Sequence, residues 1–284
     1  MTIFGSTRVF LILGDPVAQV RAPQVFNHLF EKHGVDAVLV PARVAPGEFD
    51  SFARAVLKAG NIDGLWLTIP HKTAMMRMLD RCDALGHAAG AVNAARRNAD
   101  GSIEGALFDG IGFAKGLDHW KVPIAGRRVL IVGAGGAGVA IAATLAARGA
   151  ARIALAVRDV QRATEIVERL RAAFNCDVVA VPTPDPAGYD LVINATPLGM
   201  QASDPLAFEV ARLDDGSCVV DILMKNQPTP LLRACHARGI AAYPGLEMLI
   251  QQVPEYLSFF GLDHVAAAVQ SDLSGVRALF EAAG

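Results

Sequence analysis

The chain has 284 residues, of which 52% are hydrophobic, so it can bury one or two full cores without disulfide bonds. Its formal net charge is -2 and no Lys/Arg run stands out, which argues against nucleic acid as a partner. The four scattered cysteines predict reduced, buried thiols and neither a disulfide framework nor a metal site. No export signal opens the sequence, and no apolar run reaches the roughly 18 residues of a membrane span. We therefore expect a cytoplasmic protein that does not bind membranes.

Short apolar segments and helical patterns alternate in the first part of the sequence. Val9–Leu13 and Ala37–Val40 have the pattern of buried strands, and between them Val25, Phe26, Leu29 and Phe30 recur at helical spacing. This alternation is typical of βαβ units and a mostly parallel sheet. The predicted fold class is α/β.

A polar segment near residues 118–128 is predicted to separate two sheets, because Pro123 and Gly126 interrupt the pattern there. We predict a substrate-binding domain over 1–112, a Rossmann-type dinucleotide-binding domain over 113–245, and helices over 246–284 that return to the first domain. The strands predicted for the second sheet are Arg128–Val132, Arg152–Val157, Asp190–Asn194 and Cys218–Asp221.

A glycine-rich loop joins the strand that ends at Val132 to an Ala-rich helical stretch that ends before Gly149. The loop reads Gly133, Ala134, Gly135, Gly136, Ala137 and Gly138. Strand, Gly-x-Gly-x-x-Gly and helix in this order are the dinucleotide-binding fingerprint, in which the helix N-terminus faces the pyrophosphate. We therefore predict that this loop binds NADP or NAD.

The residues after the next strand bear on the choice of cofactor. Arg158 and Arg162 could bind a 2'-phosphate, whereas Asp159 would repel it if it pointed inward. We predict a preference for NADP, with NAD as the alternative. The other interpretation of the two arginines is that they are solvated charges.

Lys72 and Asp109 are the candidate catalytic residues. Lys72 follows a strand that breaks at Pro70, where a positioned amine can move a hydroxyl proton during hydride transfer. Asp109 lies in a turn-like segment and could pair with Lys72. Viewed alone, each has a simpler interpretation, as a solvated lysine and as a turn residue.

Motifs along nearly the whole chain, from about residue 9 to residue 260, resemble those of the shikimate dehydrogenase family in order and spacing. The motifs are Gly14–Ala18, Thr68–Lys72, Gly90–Asn93, Asp109–Gly110, Gly133–Gly138, Asn194–Met200, Thr229–Leu231 and Gly245–Leu249 with Gln252.

The resemblance implies a substrate domain, a Rossmann domain and a cleft between them. By this likeness Lys72 is the acid/base residue and Asp109 its partner. Asn93 and Gln252 hold ring hydroxyls of the substrate, and Thr68 lies near its carboxylate. The residues implied on the nicotinamide side are Ala195, Thr196, Pro197, Gly199, Met200, Ile222, Gly245 and Met248.

The sequence departs from the family pattern around the substrate. Where the family has Ser-x-Ser-Pro, whose hydroxyls bind the substrate carboxylate, this chain has Val20-Arg21-Ala22-Pro23. Trp66 replaces Asn, Leu107-Phe108 replace Asn-Thr, and Met224 replaces Tyr. We predict a less polar pocket, lined by Val20, Ala22, Trp66 and Met224, that takes an altered substrate. Arg21 or Gln19 could recognise an acid instead, or Arg21 could be solvated.

The predicted function is hydride transfer between a nicotinamide cofactor and a ring hydroxyl or ketone of shikimate, quinate or a related cyclic polyol acid, by a monomer or homodimer. One rival is the folate-linked methylene dehydrogenase and cyclohydrolase class, which has Tyr four residues before its Lys, where this chain has Thr68. Another is a non-catalytic sensor of a metabolite or cofactor.

Overall fold

The computed structural model describes residues 2–161, 163–201, 203–224 and 227–281. The chain divides into two compact units, Met1–Phe108 with Gln252–Gly284, and Asp109–Gln251. Each unit is built around one six-stranded sheet with helices packed on it. The predicted α/β class is confirmed. No helix in the described part of the chain is long and apolar enough to cross a membrane.

The sheet of the first unit is mixed. β1, β2 and β3 pair in parallel, whereas β5 is antiparallel to both β3 and β6. The sheet order is β2-β1-β3-β5-β6-β4. The elements are β1 (Arg8–Gly14), α1 (Ala22–Lys32), β2 (Ala37–Arg43), α2 (Phe49–Val56), β3 (Ile62–Leu67), α3 (His71–Ala74), β4 (Arg81–Cys82), α4 (Ala84–Ala89), β5 (Ala94–Arg97) and β6 (Ile103–Ala106).

The sheet of the second unit is parallel throughout, in the order β12-β11-β10-β7-β8-β9, which is the doubly wound dinucleotide-binding arrangement. Its four central strands are buried on both faces, as their apolar sequences predict. The elements are α5 (Asp109–His119), β7 (Arg128–Val132), α6 (Gly136–Ala147), β8 (Arg152–Ala156), α7 (Thr164–Ala173), β9 (Asp177–Val181), β10 (Leu191–Asn194), β11 (Cys218–Asp221), α8 (Pro230–Ala237), β12 (Ala241–Pro244) and α9 (Leu246–Gln251).

The last helices belong to the first unit and are α10 (Val253–Phe259), α11 (Asp263–Ser271) and α12 (Ser274–Glu281). Two arginines hold the end of α10 to the first sheet. Arg8 donates to the carbonyl oxygen of Phe260 at 3.1 Å, and Arg96 donates to that of Phe259. Of the helices over 246–284, α9 thus lies in the second unit and the last three in the first.

All four cysteines are free thiols. Cys218 and Cys235 are buried as predicted, whereas Cys82 and Cys176 are only half-buried, so the prediction of buried thiols is wrong for these two. Burial raises the pKa of Cys218 to about 12 and that of Cys235 to about 11, which keeps both thiols protonated near neutral pH.

Candidate active site

Lys72 lies just after the carboxyl end of β3, in the short helix α3, and is half-buried. The main chain around it is fixed by pairing with the segment before β5. The backbone N–H of Val92 donates to the Lys72 carbonyl at 3.0 Å, and that of Leu67 donates to the Asn93 carbonyl at 2.8 Å. These bonds bring the Thr68–Lys72 turn beside Asn93, as the predicted substrate site requires.

Asn93 is at the centre of a buried hydrogen-bond group. It is 1% exposed, its Oδ1 accepts from the backbone N–H of Phe108 at 2.9 Å, and its Nδ2 donates to Gln252 Oε1 at 3.4 Å. The Tyr256 hydroxyl donates to the Asn93 carbonyl at 3.3 Å. The two residues predicted to hold ring hydroxyls therefore contact each other, although 159 positions separate them.

His71, which the sequence reasoning assigned no role, anchors the turn that carries Lys72. Its ring is 1% exposed and stacks on Phe49, with centroids 4.3 Å apart, and Nε2 lies 2.9 Å from the Val44 carbonyl oxygen. Burial lowers the pKa of His71, against smaller opposing effects of the Val44 bond and Asp15. A neutral ring held in this way fixes the start of α3. Its position next to Lys72 was the only sequence signal.

Asp109 is the first residue of α5 and is 4% exposed. The next residue, Gly110, packs so closely on α6 that a Cβ there would overlap the Ala140 carbonyl oxygen and Thr144 Oγ1. The start of α5 is therefore fixed by contact with α6. Lys72 and Asp109 belong to different compact units, and their pairing stays a prediction.

The segment that replaces Ser-x-Ser precedes and opens α1. Val20 and Ala22 are half-buried. Arg21 donates from Nη2 to the Phe280 carbonyl at 3.0 Å, and its Cζ lies 5.7 Å from the centre of the Phe280 ring. Gln19 Nε2 donates to the Pro16 carbonyl at 2.9 Å. Arg21 is half-buried, and its guanidinium joins the start of α1 to α12, while its Nε is buried without a hydrogen-bond partner among the described residues. Recognition of an acid by Arg21 or Gln19 stays a prediction.

Trp66, predicted to contact substrate, is 2% exposed and lies in an aromatic cluster. Its ring stacks on Tyr256 and Phe260 at centroid distances of 5.2 and 4.2 Å. Phe10 and Phe26 approach it edge-on, each at 5.1 Å. Its Nε1–H is buried without a hydrogen-bond partner among the described residues. Trp66 is therefore part of the core of the first unit, and its contact with substrate stays a prediction.

The glycine-rich loop of the second unit has the shape that a dinucleotide requires. Gly133 has φ +100°, a conformation that disfavours side chains, and Gly138 packs so closely that a Cβ would overlap the Gly133 carbonyl oxygen. A Cβ on Gly135 would meet no atom within 4 Å, so this side is open to a ligand. No side chain caps the N-terminus of α6, which leaves its first N–H groups for phosphate oxygens. The residues present fit the predicted cofactor.

A buried polar network shapes the loop after β10. Asn194 Oδ1 accepts from Thr196 N at 3.0 Å and from Thr196 Oγ1 at 2.7 Å. Asn194 Nδ2 donates to Asp221 Oδ1 at 3.0 Å, and Thr229 Oγ1 donates to Asp221 Oδ2 at 2.7 Å. Desolvation raises the pKa of Asp221, against these hydrogen bonds. The sequence analysis named Thr229 only within the motif Thr229–Leu231 and Asp221 only as the end of a strand, although a buried Asp at the end of an apolar strand is a usable signal.

The residues implied on the nicotinamide side lie on segments that leave neighbouring strands of this sheet. The strands β7, β10, β11 and β12 are adjacent, and their carboxyl ends lead into the Gly133, Ala195, Ile222 and Gly245 segments respectively. A Cβ on Gly133 would lie 3.0 Å from the Ala195 carbonyl oxygen, and one on Gly245 would contact Ile222. These four segments therefore share one edge of the sheet.

The remaining predicted positions differ in exposure. Met248 is 6% exposed, whereas Met200 and Met224 are 43% and 37% exposed. Pro197 is exposed, and Gly199 is buried with φ +105°. Arg158 and Asp159 are exposed just beyond β8, and Arg162 lies outside the described residues.

Two family models match the chain. The shikimate dehydrogenase substrate binding domain matches residues 12–95, and shikimate / quinate 5-dehydrogenase matches residues 117–198. A shikimate dehydrogenase (NADP(+)) of Acidiphilium cryptum is 37% identical over 97% of this chain and 100% of its own length. The corresponding protein of Rubrobacter xylanophilus is 36% identical over 96% and 98%.

Solved structures agree with these sequence matches. Shikimate 5-dehydrogenase from Listeria monocytogenes, in complex with shikimate and NAD, is 25% identical with a TM-score of 0.85, over 95% of this chain and 98% of that one. The 5-ketofructose reductase of Gluconobacter sp. strain CHM43 is 26% identical with a TM-score of 0.82, over 95% and 100%. The resemblance inferred from the motifs is confirmed, and the chain belongs to the shikimate dehydrogenase family.

Proposed function

We propose that the protein is an NAD(P)-dependent dehydrogenase that interconverts a ring hydroxyl and a ring ketone of shikimate, quinate or a related cyclic polyol acid. The observation that carries the proposal is the grouping of the Thr68–Lys72 turn with the Asn93–Gln252 pair at the end of β3. An amine, a hydroxyl and two amides in one place suit a substrate with several hydroxyl groups. Relatives named as dehydrogenases with the same motifs over almost their whole length support it.

Lys72 moves the hydroxyl proton in this proposal. During oxidation the carbinol carbon loses hydride, its single bond to oxygen becomes a double bond, and the hydroxyl proton passes to the Lys72 amine. Reduction reverses each of these transfers. The nicotinamide cofactor, when bound, supplies the hydride acceptor or donor. Asp109 orients Lys72, and the amides of Asn93 and Gln252 fix the ring so that the reacting carbon is correctly placed.

NADP is the proposed cofactor, with NAD as the alternative. Arg158 is exposed just beyond β8, where a 2'-phosphate would lie in this fold, and the Acidiphilium and Rubrobacter relatives are named for NADP(+).

As part of the proposal, residues 1–112 bind substrate, 113–245 bind cofactor and 246–284 return to the substrate domain. A cytoplasmic location fits the four free thiols.

Substitution of Lys72 tests the proposal. We expect Lys72→Ala to lower kcat with shikimate or quinate by about 100-fold or more, the size of a general acid/base contribution, while the Kd for NADP is unchanged. Lys115→Ala, a change of another half-buried lysine on α5, is the control and should retain kcat within about three-fold. Near-normal turnover of Lys72→Ala would remove Lys72 from the mechanism. Tight binding of a polyol acid to the unaltered protein without any cofactor reduction would favour a sensor instead.

A further inference from the structure

The basic side chains near the carboxyl edge of the first sheet are already engaged. Arg43 Nε lies 2.7 Å from Asp15 Oδ1, and Arg77 Nη2 lies 3.1 Å from Asp50 Oδ1. Arg21 bonds to the carbonyl oxygen of Phe280 and lies over its ring. His71 is buried against Phe49, and Lys72 is the residue to which the proposed function assigns the hydroxyl proton.

The neutral side chains at the same edge do not provide a binding site for the substrate carboxylate. Val20 and Ala22 carry no hydrogen-bond donor, and the Gln19 amide donates to the Pro16 carbonyl. A carboxylate placed here loses part of its hydration and gains at most the Thr68 hydroxyl as a donor, so we expect the two effects to offset each other. An uncharged substituent of the same size avoids the first effect and lacks the second.

We propose that this site selects its substrate through the ring hydroxyls and makes no net use of the carboxylate. The ring is held by Asn93 and Gln252, and Lys72 is occupied with the hydroxyl proton. Uncharged counterparts of the polyol acid are therefore turned over as efficiently as the acid itself. The inference rests on the proposed function and concerns the same site. The high TM-score to a reductase named for 5-ketofructose, an uncharged keto sugar, is in keeping with it.

The test compares molecules that share one ring and differ only in charge. With NADP, kcat/KM is measured for shikimate, its methyl ester and its primary amide, and for quinate and its methyl ester. We expect the acid-to-amide and acid-to-ester ratios to be about one, within roughly three-fold. A preference for both acids of about ten-fold or more, the value of one charge-assisted hydrogen bond, would overturn the inference.

Calorimetric Kd values for shikimate and its amide give the same comparison without turnover. Absence of turnover with every compound would therefore count against the proposed function, while the ratio of the two Kd values would still decide the present inference. Equal Kd values support it, and a ten-fold tighter acid refutes it.

A second test restores the two family hydroxyls at positions 20 and 22. In the double variant Val20→Ser, Ala22→Ser, the acid-to-amide ratio should rise by about ten-fold or more, because two donors to a carboxylate are added. Ala18→Ser adds a hydroxyl to an exposed position of the same segment and should leave the ratio unchanged. Arg21→Gln should also leave it unchanged. A ten-fold fall in that variant would show that the Arg21 guanidinium binds the acid, and would refute the inference.

Discussion

Replacing Asp221 with Ala removes the acceptor at the centre of the network between β10 and β11. The carboxylate is fully buried and accepts from Thr229 Oγ1 at 2.7 Å, Asn194 Nδ2 at 3.0 Å and the Leu223 N–H at 3.3 Å. A buried donor left without an acceptor costs about 1–3 kcal/mol. With three such donors we expect Asp221→Ala to lower the free energy of unfolding in urea by about 4 kcal/mol.

Asp221→Asn is the matched control because it keeps the shape of the side chain and one acceptor oxygen. It should cost about 1 kcal/mol at neutral pH, since Thr229 Oγ1 can accept from the new amide. Burial raises the pKa of Asp221 above 3.8, so the folded protein holds this proton more tightly than the unfolded chain. The wild type therefore loses stability as the pH rises through the folded-state pKa, and Asp221→Asn does not. The stability advantage of the wild type over this variant should shrink with rising pH.

The same network should also affect cofactor binding, because it holds the loop after β10. Asn194 holds the Thr196 backbone and hydroxyl, so a loosened Asn194 frees the loop predicted to face the nicotinamide. In Asp221→Asn we expect the KM for NADP to rise about three-fold or more, with the KM for the polyol nearly unchanged. If Asp221→Ala instead unfolded at the same urea concentration as the wild type, the stabilising role of the network would be refuted.

Two further predictions concern the cofactor. Gly138→Ala should lower the free energy of unfolding by about 1–3 kcal/mol and weaken NADP binding, because its Cβ would overlap the Gly133 carbonyl oxygen. Gly135→Ala, where a Cβ meets nothing within 4 Å, should leave stability unchanged, and equal urea midpoints for the two variants would contradict this packing. Arg158→Gln should raise the KM for NADP by about ten-fold without affecting NAD, and an equal effect on both cofactors would show that Arg158 does not bind the 2'-phosphate.

Four of the six strands of the second unit could be predicted from sequence because their signals are local. The apolar strands β7, β8, β10 and β11 coincide with the predicted segments to within one residue at their ends. The glycine loop follows β7 directly, so strand, loop and helix could be read together from one stretch of sequence. β9 and β12 were not predicted. Both are edge strands in which only one residue, Val178 or Ala242, is buried, so they have less of the burial that marks the central strands.

Sequence reasoning failed where partners are distant along the chain. The Arg21 side chain bonds to a carbonyl oxygen 259 positions away, and Asn93 to an amide 159 positions away. Only the second pair was expected to lie in one site, because the family resemblance assigned both members to the ring hydroxyls of the substrate. The short strands β4, β5 and β6 were missed for a related reason. They are two to four residues long and are stabilised by pairing in the sheet more than by their own patterns.

The aromatic cluster around Trp66 should prevent a single substitution from restoring the family's Asn at this position. Trp66→Asn would place an amide among Tyr256, Phe260, Phe10 and Phe26, with a cavity where the indole stood. We expect it to lower the free energy of unfolding by about 4 kcal/mol, as truncation of a buried Trp does. Trp66→Phe keeps the ring packing and removes an Nε1–H that has no partner among the described residues, so it should cost under about 2 kcal/mol. Equal urea midpoints for the two variants would refute this reasoning. The half-buried segment around Val20 and Ala22, by contrast, can accept hydroxyl groups without loss of packing, and acid recognition should therefore be recovered there first.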